Sequence, residues 1–150
     1  MHTNKTIGDS LRDQLGRTWA GLRKGIKLCP PEIWKTASDG MPAPAWLAYH
    51  VIVYWERLTR CRKSDIGKGL SPTRLPGKEQ ALVYLQEVDD RVDAWFARRN
   101  DGQFAKPPNS ARLGQTLLAG ALYFLRHNQH HIAHLQMILR QHGIQAALWR

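Results

Sequence analysis

Cysteine is scarce: the 150-residue chain has two, Cys29 and Cys61, and they form no CxxC pair. That spacing argues against a zinc knuckle or a disulfide framework, so both are expected to be reduced thiols in a cytoplasmic protein. Long apolar runs are missing too. None reaches the ~18 residues of a membrane span, and the N-terminal stretch MHTNKTIGDSLRDQL has no apolar signal segment, so no membrane contact is expected. Strand signals are weak, with no clear alternating run bounded by hairpin turns. No internal repeat and no low-complexity tract is visible. Acidic residues are in deficit: 12 Asp and Glu stand against 22 Lys and Arg, a net charge of +10. Such a balance suits an anionic partner. The cations are dispersed, however. The densest pieces are RLTRCRK (57–63) and ARR (97–99), and neither is interleaved with aromatics. Nucleic acid is therefore not the expected partner.

What the chain does have is apolar residues at helical spacing. Its length fits one domain spanning 1–150, and 43% hydrophobic residues suffice for a core. Ile7, Leu11, Leu15, Trp19, Leu22 and Ile26 recur every three or four positions and predict a first helix, which Pro30 and Pro31 end. Pro44 suits the first turn of a second helix, with Leu47, His50, Val51, Tyr54 and Leu58 along one side. Ala81, Leu85, Val88, Val92 and Trp95 mark a third, ended by DGQFAKPPNS. A fourth is predicted from an N-cap near Ser110, through Leu113, Leu117, Ala121, Phe124, His127, His131, Leu135 and Ile138, to a terminating Gly143. Four amphipathic helices joined by moderate loops read as an all-α four-helix bundle. Six tryptophans are many for a core of this size and point to self-association as a homodimer.

Histidine is concentrated. Four of the seven fall in RHNQHHIAHL: His127, His130, His131 and His134. On a helix they span about 100° of arc, centred near the apolar stripe. Four imidazoles turned toward a core, each with a donor and an acceptor to satisfy, are costly without a purpose. A metal in the bundle interior supplies one. Two i,i+4 pairs exist, His127 with His131 and His130 with His134, and periodicity alone allows either. A pair needs a third ligand from another helix. His50 is the candidate, since His2 lies at a terminus and His142 at a helix end.

The Trp-Leu-x-x-His of the second helix and the His-x-x-His-His of the fourth resemble the DinB-like (DinB/YfiT-like) metal-binding four-helix bundles. The resemblance extends to LCPPEIW, KEQALVYLQEVDDRV and LRQHGI. It implies that the ligand pair is His127 and His131, with His50 as the third. Two positions depart from the family pattern: Ala133-His134 replaces a small-Gln step, and Arg126 stands where asparagine is common. His134 and His130 are thus left for a supporting role, a substrate contact or a fourth ligand. Tyr54 and Tyr123, one turn from His50 and His127, are placed to line the cavity; the catalytic residues themselves are unknown. Glu32 and Glu56 read as surface carboxylates. The family includes enzymes that transfer low-molecular-weight thiols. The resemblance therefore implies a divalent-metal-dependent enzyme acting on a small molecule, a thiol S-transferase or a related hydrolase. Zinc or nickel is expected first, iron or manganese behind them. The alternative is a non-enzymatic metal-binding bundle with an acidic partner.

Overall fold

The computed structural model of the chain describes residues 4–59, 65–108 and 114–145. His2, Cys61, Ser110, Leu113, Trp149 and positions 60–63 of the basic tract lie outside these residues. Among the described residues the regular structure is helical: α1 (Thr6–Leu28), α2 (Pro44–Leu58), α3 (Lys78–Ala97), α4 (Asp101–Phe104) and α5 (Leu117–Gln141), with a 3-10 turn at Gly67–Gly69. No helix among them is long and apolar enough to cross a membrane.

The predicted stripes are the buried faces. In α1, Leu11, Leu15, Trp19, Leu22 and Ile26 are buried, and in α3, Ala81, Leu85, Val88, Val92 and Trp95. α2 is different. Eleven of its fifteen residues are buried, so it is covered nearly all round, and its two packing partners explain why. α1 packs on α3 and α5; α2 packs on the same two helices; α1 and α2 touch only lightly across the bundle. Contacts give the directions. Arg12 reaches Asp93 while Arg23 reaches Asp89 and Gln86, so α1 and α3 are antiparallel. Gly21 meets Ile132 and Gly25 meets Leu135, so α1 and α5 are parallel. At Gly25 the approach is close: an added Cβ would lie 2.8 Å from Leu135 Cδ2.

Loops are fixed by polar groups that would otherwise be orphaned at helix ends. Asn4 Oδ1 accepts from Thr6 N (3.2 Å) and Asp101 Oδ1 from Ile7 N (2.8 Å), capping α1. At its other end Lys78 Nζ donates to the carbonyls of Lys27 and Cys29. The Pro30–Pro31 break turns back through Ile33 N to Pro30 O and buries Trp34, whose Nε1 donates to Pro76 O at 2.8 Å. Cys29 is free and buried, and burial pushes its thiol up to about 11.

Three expectations are corrected. The last helix begins at Leu117, with Thr116 Oγ1 accepting from Ala119 N, rather than near Ser110. DGQF does not merely end α3; it forms α4, a turn capped by Asn100 that seats Phe104 in the core. Of the six tryptophans, Trp19, Trp34, Trp55 and Trp95 are buried, Trp46 is half-buried and Trp149 lies outside the described residues. Glu56 is no surface carboxylate. It is buried and accepts a hydrogen bond from the Tyr84 hydroxyl at 3.2 Å. The end of α5 falls where expected. Gly143 has a left-handed φ of 75°, and Ile144 N bonds back to Leu139 O as Gly143 N does to Arg140 O.

Candidate metal centre

Residues four apart on one helix stack in a column. On α2 the column is Trp46, His50 and Tyr54. Trp46 lies flat on His50 with ring centroids 4.3 Å apart, and Tyr54 meets His50 edge-on at 4.7 Å. On α5 the column is Tyr123, His127 and His131, with the Tyr123 ring stacked on His127 at 5.7 Å. The two columns face each other in opposite directions. Trp46 is against His131 (5.9 Å) and Tyr54 against His127 (5.0 Å), with His50 between both histidines. Below the columns, Trp55 packs on Phe124, and the fully buried amide of Asn128 lies between them. With its oxygen toward the indole, Asn128 accepts from Trp55 Nε1 and donates to Phe124 O at 3.2 Å. This bond ties α2 to α5 one turn from the histidines.

Three imidazole nitrogens converge in that seam. His127 Nε2 lies 3.2 Å from His50 Nε2 and 3.1 Å from His131 Nε2. All three rings are half-buried, so the group sits in the seam between α2 and α5 rather than deep in the interior. Ring nitrogens so placed cannot all satisfy one another. A neutral Nε2 offers either one proton or one lone pair, yet His127 Nε2 faces two neighbours. Three lone pairs directed at one cation resolve the crowding, and the proton then resides on Nδ1. The Nδ1 atoms of His127 and His131 are buried and have no partner among the described residues. Two nitrogens 3.1–3.2 Å apart, each ~2.0–2.1 Å from an ion, subtend about 100°, between the octahedral and tetrahedral angles. The residues therefore fit a divalent cation.

Charge state fits as well. Burial, with His127 and Arg57 nearby, lowers His50 to about 4. Burial, followed by the four surrounding histidines, lowers His131 to about 4, and burial lowers His127 in the same direction. All three are neutral near pH 7, the form that binds metal.

His130 and His134 are not in this group. His130 is exposed and His134 half-buried one turn on, their centroids 4.3 Å apart. The expectation that all four histidines of α5 turn inward therefore fails for His130. Tyr54 is half-buried against both His50 and His127, whereas Tyr123 is more exposed, at the rim. Glu32 is exposed. Sequence reasoning missed the stacking role of Trp46, the bond made by Asn128, and two arginines at the rim. Arg57 lies 5.5 Å over the Tyr54 ring and Arg126 5.8 Å over Tyr123. The i,i+4 step from Trp46 to His50 and the i,i+3 steps from Tyr54 to Arg57 and Tyr123 to Arg126 were the available signals.

An all-helical bundle with converging imidazoles on facing helices defines a class in which metal sites are built from such side chains. Over residues 14–135, a span that includes His50, His127 and His131, the sequence matches the DinB superfamily, and the chain belongs to that family. No curated protein sequence matches it.

Proposed function

We infer that the chain holds a divalent cation on the Nε2 atoms of His50, His127 and His131 and uses the ion's remaining open side to bind a small anionic substrate. The observation that carries this reading is the approach of three neutral ring nitrogens within 3.1–3.2 Å steps across two helices. An all-nitrogen donor set suits zinc or nickel, and also iron; manganese fits it less well, and the hard cations calcium and magnesium do not suit it. When bound, such an ion would favour the thiolate form of a thiol, the nucleophilic form, at neutral pH.

The protein's own groups would do the rest. The hydroxyls of Tyr123, exposed at the rim, and of half-buried Tyr54 would hydrogen-bond the substrate. Arg57 and Arg126 stand over those two rings and would attract carboxylates, an effect that salt weakens. A low-molecular-weight thiol carrying carboxylates meets both requirements. The activity that follows is thiol S-transfer or a related hydrolysis. The net charge of +10 favours a second reading, a non-enzymatic metal-binding bundle with an acidic partner.

Protein dialysed against metal-free buffer should retain divalent metal, and His50→Ala and His127→Ala should each hold one ion fewer per chain than the wild type by elemental analysis. With cobalt in the site, a carboxylate-bearing thiol should give a sulfur-to-metal charge-transfer band that His131→Ala lacks. Full metal retention in both alanine variants would remove the site. A cobalt spectrum that no thiol perturbs would leave the binding-module reading.

A further inference from the structure

α5 carries imidazoles that the three-histidine group does not use. His130 and His134 lie one helical turn apart with ring centroids at 4.3 Å. The ring of His131 stands beside them, 5.2 Å from His130 and 5.7 Å from His134. One ligand nitrogen from each of these three residues lies within 4.8 Å of the other two. An i,i+4 pair on adjacent turns can close on one ion.

Two further observations point outward from the inner group. His131 turns Nε2 to His127, leaving Nδ1 as its second donor, and that Nδ1 is buried without a partner among the described residues. The Nδ1 of His134 is in the same condition although its ring is only half-buried. Buried ring nitrogens are ordinarily hydrogen-bonded. Here two unpartnered ones flank the same exposed imidazole. No carboxylate belongs to the group, so calcium and magnesium are disfavoured and borderline cations such as zinc and copper(II) are favoured.

We propose that His130 and His134, with Nδ1 of His131 as third donor, form a second divalent-cation site on the open face of α5, joined to the inner site through the shared His131 ring. When both sites are filled the shared ring gives a lone pair from each nitrogen, and its Nδ1 proton passes to solvent. The site does not require the inner one to be filled, because its two other ligands belong to it alone.

Zinc is the probe, added to the metal-free full-length chain and followed by calorimetry and equilibrium dialysis. The wild type should bind two ions per chain. His130→Asn and His134→Asn should each bind one, and so should His50→Ala, which keeps the outer site. His50→Ala combined with His134→Asn should bind none. Circular dichroism should show unchanged helix content, as His130 is exposed. A wild type that saturates at one ion, with His130→Asn and His134→Asn isotherms identical to it, would overturn the proposal. A wild type that binds one ion, lost in His134→Asn and kept in His50→Ala, would support the outer site and refute the inner one.

Discussion

A histidine held below its ordinary titration range works against the folded state in acid, and the direction follows from proton counts. In the unfolded chain an imidazole takes up its proton near 6.5; in the fold His50 and His131 do so only near about 4. Between these values the unfolded chain binds more protons, so stability rises with pH. The contribution is complete above about 6.5 and is lost as pH falls toward about 4. Metal-free protein should therefore lose urea resistance steeply across that window, and His131→Gln should show a flatter curve. Parallel curves would mean that His131 is not held neutral by its surroundings. At this scale the sequence revealed much. The four clustered histidines and the lone His50 were enough to suggest ligands. They were not enough to choose between the pairs, because all four lie within about 100° of arc. The choice depends on where α2 crosses α5, a tertiary fact that local spacing does not contain.

The helices themselves were readable because their apolar periods are long and regular. Their ends were less so. Ser110 and Thr116 are both good N-cap residues; Thr116 Oγ1 accepts from Ala119 N and caps the helix that starts at Leu117, while Ser110 lies outside the described residues. Gly143 was readable because a left-handed C′ position strongly favours glycine. The joint between α2 and α5 was not. Asn128 reads as a polar residue between histidines, yet its amide is fully buried against Trp55. Asn128→Ala should leave the Trp55 indole N–H buried without an acceptor and cost ~1–3 kcal/mol in chemical denaturation. The same change in a Trp55→Phe background should cost less, since the stranded donor is gone. Equal costs in both backgrounds would show that the bond does not join the helices.

For the whole molecule, four amphipathic stripes were sufficient for an all-helical bundle, since each stripe must be buried against another. The pairing was not apparent. α1 and α2 are consecutive in sequence but diagonal in space, because the Pro30–Pro31 turn and the packing of Trp34 carry the chain across the bundle. That arrangement lets α2, the most enclosed helix, set His50 against α5. Metal held at this junction would show in anomalous diffraction from crystals of the protein grown with zinc, recorded on both sides of the metal absorption edge. A peak is expected within bonding distance of Nε2 of His50, His127 and His131 together. Well-ordered rings at those positions with no anomalous peak among them would contradict it.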